Sequence, residues 1–195
     1  MDEHKKGVVL NLGCGLDTRF SRLSSGNFQW FDIDLPGTID LRKNFFKETD
    51  CYHMIAKSIF DYSWFDEIPK EHPVLIIAEG LLMYFQEKEV VVLMNKLAEK
   101  FSDAEMLIET VPSSLVKQSQ ENNLIKKQYN IEANFYWGLA KGRNIENLNT
   151  HIKFIEDWHY FDYHRDRWRI IRWLSLIPTF KTKFGNRIIN LKFSK

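Results

Sequence analysis

The stretch from Gly7 to Arg19, GVVLNLGCGLDTR, runs an apolar strand straight into a glycine turn and then into the start of a helix. Gly13 and Gly15 carry no Cβ and tolerate positive φ, so the turn Gly13-Cys14-Gly15 lets backbone come close to a ligand. The stretch reads as a cofactor cradle at the carboxyl end of the first strand of an α/β sheet.

In the dinucleotide pattern G-x-G-x-x-G the third glycine falls at position 18, which here is Thr18, so the nicotinamide reading loses its last element. Further on, FQWFDIDLP places Asp32 and Asp34 at the end of a second apolar segment. That is roughly the ~20 residues downstream at which an acidic side chain meets ribose hydroxyls in open α/β folds. Together these features suggest a nucleoside cofactor with no pyrophosphate to grip, a description that S-adenosylmethionine fits.

Working outward, DTRFSRL opens a helix capped by Asp17 or Thr18, with Phe20 and Leu23 toward the sheet. Arg19 lies by the turn, where it binds a carboxylate of cofactor or substrate or pairs with Asp17 or Asp34. TIDLRKNFFKET reads as a helix packing Ile39, Phe45 and Phe46, and CYHMIAKS, 51–58, as a third strand. In SIFDYSWF, Ser58 and Ile59 stand at a strand-to-helix turn suited to an adenine base. Asp61 either meets the adenine edge or caps the short helix through Glu67. PVLIIA, 73–78, is apolar enough for a strand covered on both faces, and it delivers Glu79-Gly80 to the carboxyl edge of the sheet.

The spacing of Val90, Val91, Leu93, Met94 and Leu97 predicts a helix over 86–101, followed by a strand over 104–111. The polar segment 113–134 reads as an exposed helix or lid, and NFYWGLAKGRN as an aromatic loop. Tyr84, Phe135 and Trp137 are the candidate substrate-lining residues, each with packing as the alternative. Residues 146–155 have helical spacing, 157–164 alternate like a strand, 168–176 return to helical spacing, and 186–193 form a final strand.

The 195 residues suit one α/β domain without repeats or linkers. A core over 7–111 is followed by a lid and substrate-side insertion over 112–160 and a C-terminal helix and strand over 161–195. Net charge of +1 gives no general reason to expect nucleic acid or an anionic membrane as partner. The basic runs at 165–172 and 181–195 read as solvated faces. Cys14 and Cys51 alone supply neither a disulfide framework nor a zinc site, which points to a reducing cytoplasm and no metal. No apolar run approaches the ~18 residues that span a bilayer.

Three blocks, VVLNLGCGLDTRFSRL, WFDIDLP and IAEGLLMYF, stand in order and spacing that resemble the leucine carboxyl methyltransferase family. That family includes enzymes methylating the C-terminal leucine of phosphatase catalytic subunits and bacterial O-methyltransferases related to tetracenomycin polyketide biosynthesis. The resemblance implies a Rossmann-like class I S-adenosylmethionine-dependent methyltransferase sandwich, mostly parallel with an antiparallel edge strand and helices on both faces. It implies that Gly13 and Gly15 form the turn beside the methionine part of the cofactor, where Cys14, Asp17 and Arg19 are further candidate cofactor-binding residues. Asp32, followed by Ile33, would hold the ribose hydroxyls while Asp34 supports the loop. Ser58 and Ile59 would flank the adenine, and Glu79, with Gly80, would lie by the methionine amino group.

Family members carry a helical segment before the glycine loop, whereas here only MDEHKK precedes Gly7. Either this is a shortened gene product, or its natural beginning is missing, or Arg19 and local backbone take over that segment's work on the cofactor carboxylate. The implied reaction is O-methylation of a carboxylate or hydroxyl of a small molecule by a monomer or homodimer. The alternatives are a truncated, non-catalytic binding subunit and carboxyl methylation of a protein C-terminus. A carboxylate acceptor needs no base; for a hydroxyl acceptor His151, His159 and His164 are conceivable, and no catalytic residue is assigned.

Overall fold

The computed structural model describes residues 7–23, 28–69, 72–121, 134–163 and 177–194, with 167 and 173. Seven strands form one sheet in the order β3-β2-β1-β4-β5-β7-β6. They are β1 (Gly7–Leu12), β2 (Phe28–Asp34), β3 (Tyr52–Ala56), β4 (Val74–Ala78), β5 (Glu105–Thr110), β6 (Ile152–His159) and β7 (Arg187–Phe193). The first five pair in parallel, while β7 runs antiparallel to both β5 and β6. The mostly parallel sandwich with an antiparallel edge is thus the observed fold.

The order follows from the sequence pattern. VVLNL in β1 and VLIIA in β4 are apolar on both faces, as strands covered on two sides must be. One core packs Leu10, Leu12, Ile33, Ile76 and Ile108 against helix α3 (Glu87–Lys100) through Val90, Leu93, Met94 and Leu97. A smaller cluster on the other face joins Val9, Cys14, Trp30, Ile39 and Tyr52. The α3 start is fixed by a capping box in which Gln86 N–H donates to Glu89.

Helix α1 (Arg19–Leu23) and helix α2 (Pro36–Arg42) are shorter than the spacing predicts. Phe20 stacks on Tyr52 at 4.4 Å, but Leu23 faces solvent. In α2 Ile39 is buried as expected, whereas Phe45 lies beyond the helix and is exposed, and the inward face is completed by Arg42.

Helix α4 (Ser113–Glu121) covers the start of the expected lid, whose remaining residues, 122–133, lie outside those described. The helix expected over 146–155 is instead a 3-10 segment, Gly142–Leu148, followed by β6. A register shift between Phe154 and Glu156 breaks the alternation in β6, which is why the strand is not legible as one. The strand expected at 157–164 therefore begins five residues earlier and ends at His159. The helix expected over 168–176 falls outside the described residues apart from 173. Helix α5 (Pro178–Phe184) leads into β7. No helix among the described residues is long and apolar enough to cross a membrane.

Candidate cofactor site

The site lies where β1 and β4 part company in chain order, at the carboxyl edge of the sheet. Gly13 and Gly15 have φ of 63° and 50°, in the left-handed region that disfavours side chains. A Cβ on Gly13 would also meet the Leu81 side chain at 2.6 Å, whereas the space around Gly15 and around Gly80, whose φ is 63°, is open. The turn is tied to β2: Gly13 N–H donates to Ile33 O at 2.8 Å, and Gly15 N–H to Asp34 Oδ2 at 2.9 Å.

Of the two β2 carboxylates, Asp34 supports the loop as expected, through Gly15 N–H, whereas Asp32 is not placed to hold a ribose. Asp32 is fully buried. Its Oδ1 accepts from Asn11 Nδ2 and Trp30 Nε1, both at 2.8 Å, and its Oδ2 accepts from Tyr52 Oη at 2.6 Å and pairs with Arg42. No ribose reaches it, and Ile33 beside it is equally buried. Asp34, two residues on and partly accessible, is the carboxylate at the strand end, its Oδ1 accepting from Leu35 N–H at 2.7 Å. Cys14 is buried beneath the turn, and burial with the nearby Asp32 charge pushes its thiol pKa well up, so it is no nucleophile.

At the other side of the mouth, Arg19 pairs with Glu79 and with Asp17, the latter at 3.4 Å. Glu79 also accepts from Tyr160 Oη at 3.3 Å. Behind it Glu109, at the end of β5, accepts from Gly80 N–H at 2.9 Å and Asn186 Nδ2 at 3.0 Å, and so fixes the Glu79-Gly80 turn. Burial and the Glu109 and Glu79 charges push the Tyr160 phenol pKa up, which makes it a proton donor in hydrogen bonds and not a base. Tyr160, Glu109 and Asn186 are site residues that the sequence reading missed. They come from strands and turns distant in sequence, and no local motif marks them.

The adenine side differs from expectation in detail. Ser58 Oγ accepts from Phe60 N–H at 3.2 Å, a turn bond, and Ile59 is buried in the main core. Asp61 is a cap: it accepts from Ser63 N–H at 3.2 Å at the start of the 3-10 segment Tyr62–Glu67. The exposed apolar groups here are Leu16 and Leu35, which follow Gly15 and Asp34 directly. Of the substrate candidates, Tyr84 and Phe135 lie together with ring centroids 5.6 Å apart. Trp137 is 3% exposed and belongs to the core, so it lines no open surface. Among the described residues no group of three His, Cys, Asp or Glu is arranged to hold a metal. A cavity of about 650 Å³ lined by Pro69, Pro73, Lys100, Phe101 and Ala104 opens at the amino ends of β4 and β5, the edge away from these groups.

Opposite charges at Arg19 and Glu79, open backbone at Gly15 and Gly80, and an accessible carboxylate at Asp34 fit an aminoacyl nucleoside better than a dinucleotide. Comparison with known proteins agrees. The chain is 27% identical to the tetracenomycin polyketide synthesis O-methyltransferase TcmP of Streptomyces glaucescens, over 97% of this chain and 71% of that protein. It is 31% identical to the S-adenosyl-L-methionine-dependent methyltransferase dpfgK of Gibberella zeae, over 50% of this chain but only 35% of that one. A methyltransferase structure from Methanosarcina mazei matches with a TM-score of 0.65 at 11% identity, over 98% of this chain and 94% of its own. Human N-acetylserotonin methyltransferase matches at 0.58 and 13%, over the whole of this chain and half of its own. The fold is therefore the Rossmann-like sandwich of S-adenosylmethionine-dependent methyltransferases. Residues 2–98, the cofactor side of the chain, match the family model for leucine carboxyl methyltransferase.

Proposed function

We propose that this chain holds S-adenosylmethionine at the glycine turn and transfers its methyl group to an oxygen of a small molecule. The observation that carries the reading is the Arg19–Glu79 pair, two opposite charges side by side at the mouth. An α-amino acid end carries the complementary pair. Arg19 exchanges Glu79 for the cofactor carboxylate, and Glu79 accepts from the ammonium. Asp34, with lone pairs left after its two backbone bonds, accepts from the ribose hydroxyls. Leu16 and Leu35 offer apolar surface to the base.

The bound cofactor supplies a methyl already activated by its positive sulfur. The chain's own work is then to orient and to exclude water. A carboxylate acceptor is ionised at neutral pH and needs no base, and the raised pKa of Tyr160 makes that phenol a donor that orients the acceptor oxygen. The neighbouring Tyr84 and Phe135 rings favour a flat aromatic acceptor. This agrees with the polyketide setting in the name of TcmP.

Calorimetric titration with S-adenosylmethionine and S-adenosylhomocysteine tests the site, and transfer of labelled methyl to aromatic hydroxy acids tests the reaction. Micromolar binding that Arg19→Ala and Glu79→Gln each weaken is the expected result. A folded chain that binds neither compound overturns the reading.

A further inference from the structure

Arg42 ends α2 and is 1% exposed, an unusual place for a guanidinium. Nε donates to Tyr52 Oη at 2.9 Å, Nη1 to Gly15 O at 3.0 Å and Nη2 to Asp17 O at 2.7 Å, while Nη2 also pairs with Asp32. The guanidinium plane lies over Phe46, 4.3 Å from the ring centroid. Two of its partners are thus backbone carbonyls of the glycine turn itself. The other two, Asp32 and Tyr52, are anchored in β2 and β3 and bonded to each other.

The consequence follows from peptide geometry. In a trans peptide the C=O and the next N–H point in opposite directions, and the described residues contain no cis bond. Drawing Gly15 O and Asp17 O inward onto a buried cation therefore turns the Leu16 and Thr18 N–H groups outward, toward the mouth. We propose that Arg42 is a positioning residue for cofactor binding: from beneath the turn it sets the direction of these two backbone donors and places the Asp17 and Arg19 side chains. Only a planar fork spans a hydroxyl, two carbonyls and a carboxylate at once, and a lysine ammonium cannot reach all four. Burial alone would lower the guanidinium pKa, but the Asp32 charge and the Tyr52 bond outweigh it, so the cation is permanent.

This inference rests on the cofactor reading above, and its test separates the two. Arg42→Lys keeps the charge, and the double substitution Asp32→Asn with Arg42→Met removes the buried pair without orphaning either charge. Three measurements are made on each folded variant and on the unaltered chain: thermal unfolding, S-adenosylhomocysteine affinity, and amide exchange at Gly15, Asp17 and Arg19, whose N–H groups donate to Asp34, Cys14 O and the Asp17 side chain. Both variants are expected to weaken affinity by about tenfold or more and to speed exchange at these amides by a similar factor. In catalysis the KM for the methyl donor rises while kcat at saturation holds. A folded variant with unchanged exchange at the three amides overturns the proposal, as does one with unchanged affinity. Exchange needs no ligand: if the unaltered chain binds no S-adenosylhomocysteine, the cofactor reading fails while exchange alone decides whether Arg42 shapes the turn.

Discussion

Asp32 and Asp34 differ only in depth along one strand, yet substitution separates them completely. Asp32→Ala leaves Arg42 and Tyr52 facing an empty acceptor position in the interior, and a buried charge without its partner costs about 3–5 kcal/mol. Chemical denaturation is expected to show that loss. Asp34→Ala removes one accessible carboxylate and two bonds to backbone N–H, at a cost of about 1–2 kcal/mol, while S-adenosylhomocysteine affinity falls by about tenfold or more. Equal effects of the two on affinity per unit of lost stability would contradict the assignment. Sequence alone cannot make this distinction, because residues two apart on a strand share a face and the pattern W-F-D-I-D says nothing of depth. Arg42 did leave a trace: it stands three residues after the buried Ile39 and four before Phe46, on the inward face of the helical pattern. An arginine on such a face ordinarily reaches solvent, so the pattern alone does not mark it as buried.

Among the elements, the parallel strands and the final strand β7 were legible, and β6 was not. Strands covered on both faces are nearly continuous apolar runs, which nothing else in a short loop-bounded segment resembles. The β6 region instead offers Ile145, Leu148, Ile152 and Ile155, spaced by three and four, which imitates a helix. Here the end of β6 carries a titrating group. His159 is partly buried, its Nδ1 meets no hydrogen-bond partner among the described residues, and it lies near the ion pairs Arg187–Asp157 and Lys181–Asp162. Burial first, then the two cations, lower its pKa below the ordinary 6.5. The unfolded chain therefore takes up a proton at a pH where the folded one still refuses it, and stability falls as pH drops below about 6.5. Thermal unfolding at pH 7.5 and 5.5 is expected to show that decrease, and His159→Gln to flatten it. Asp162 shifts the same way: its Lys181 bond outweighs burial and lowers its pKa, so its contribution is also lost as pH falls, but only at the lower pH where carboxylates protonate.

At the scale of the molecule, alternation of strands and helices was enough to reach the sheet, and the glycine turn was enough to reach its ligand edge. What stayed hidden was whatever needs two distant segments: Glu109 and Asn186 behind Gly80, Tyr160 above Glu79, and the inward fate of Trp137. Since turn, β2 carboxylate and Glu79 come from separate strands of one sheet, occupancy of the site ties those strands together. A ligand at a hundred times its dissociation constant stabilises by about 2.7 kcal/mol, which for a domain near 200 residues raises the midpoint by about 5–10 °C. S-adenosylhomocysteine is expected to give such a shift in a thermal scan, and NADH at equal concentration none. A shift with NADH alone would return the chain to the dinucleotide binders.

The buried Cys14 gives the glycine turn a clock. Its thiol is shielded and protonated while the turn is closed, so alkylation at neutral pH proceeds only during the moments when the backbone over it lifts. Cys51, partly open at the far end of β3, reacts without that wait and serves as the internal reference. The ratio of the two rates counts the openings of the turn in an unlabelled, unmutated chain, and any compound that settles on Gly13-Cys14-Gly15 slows one thiol while leaving the other on schedule.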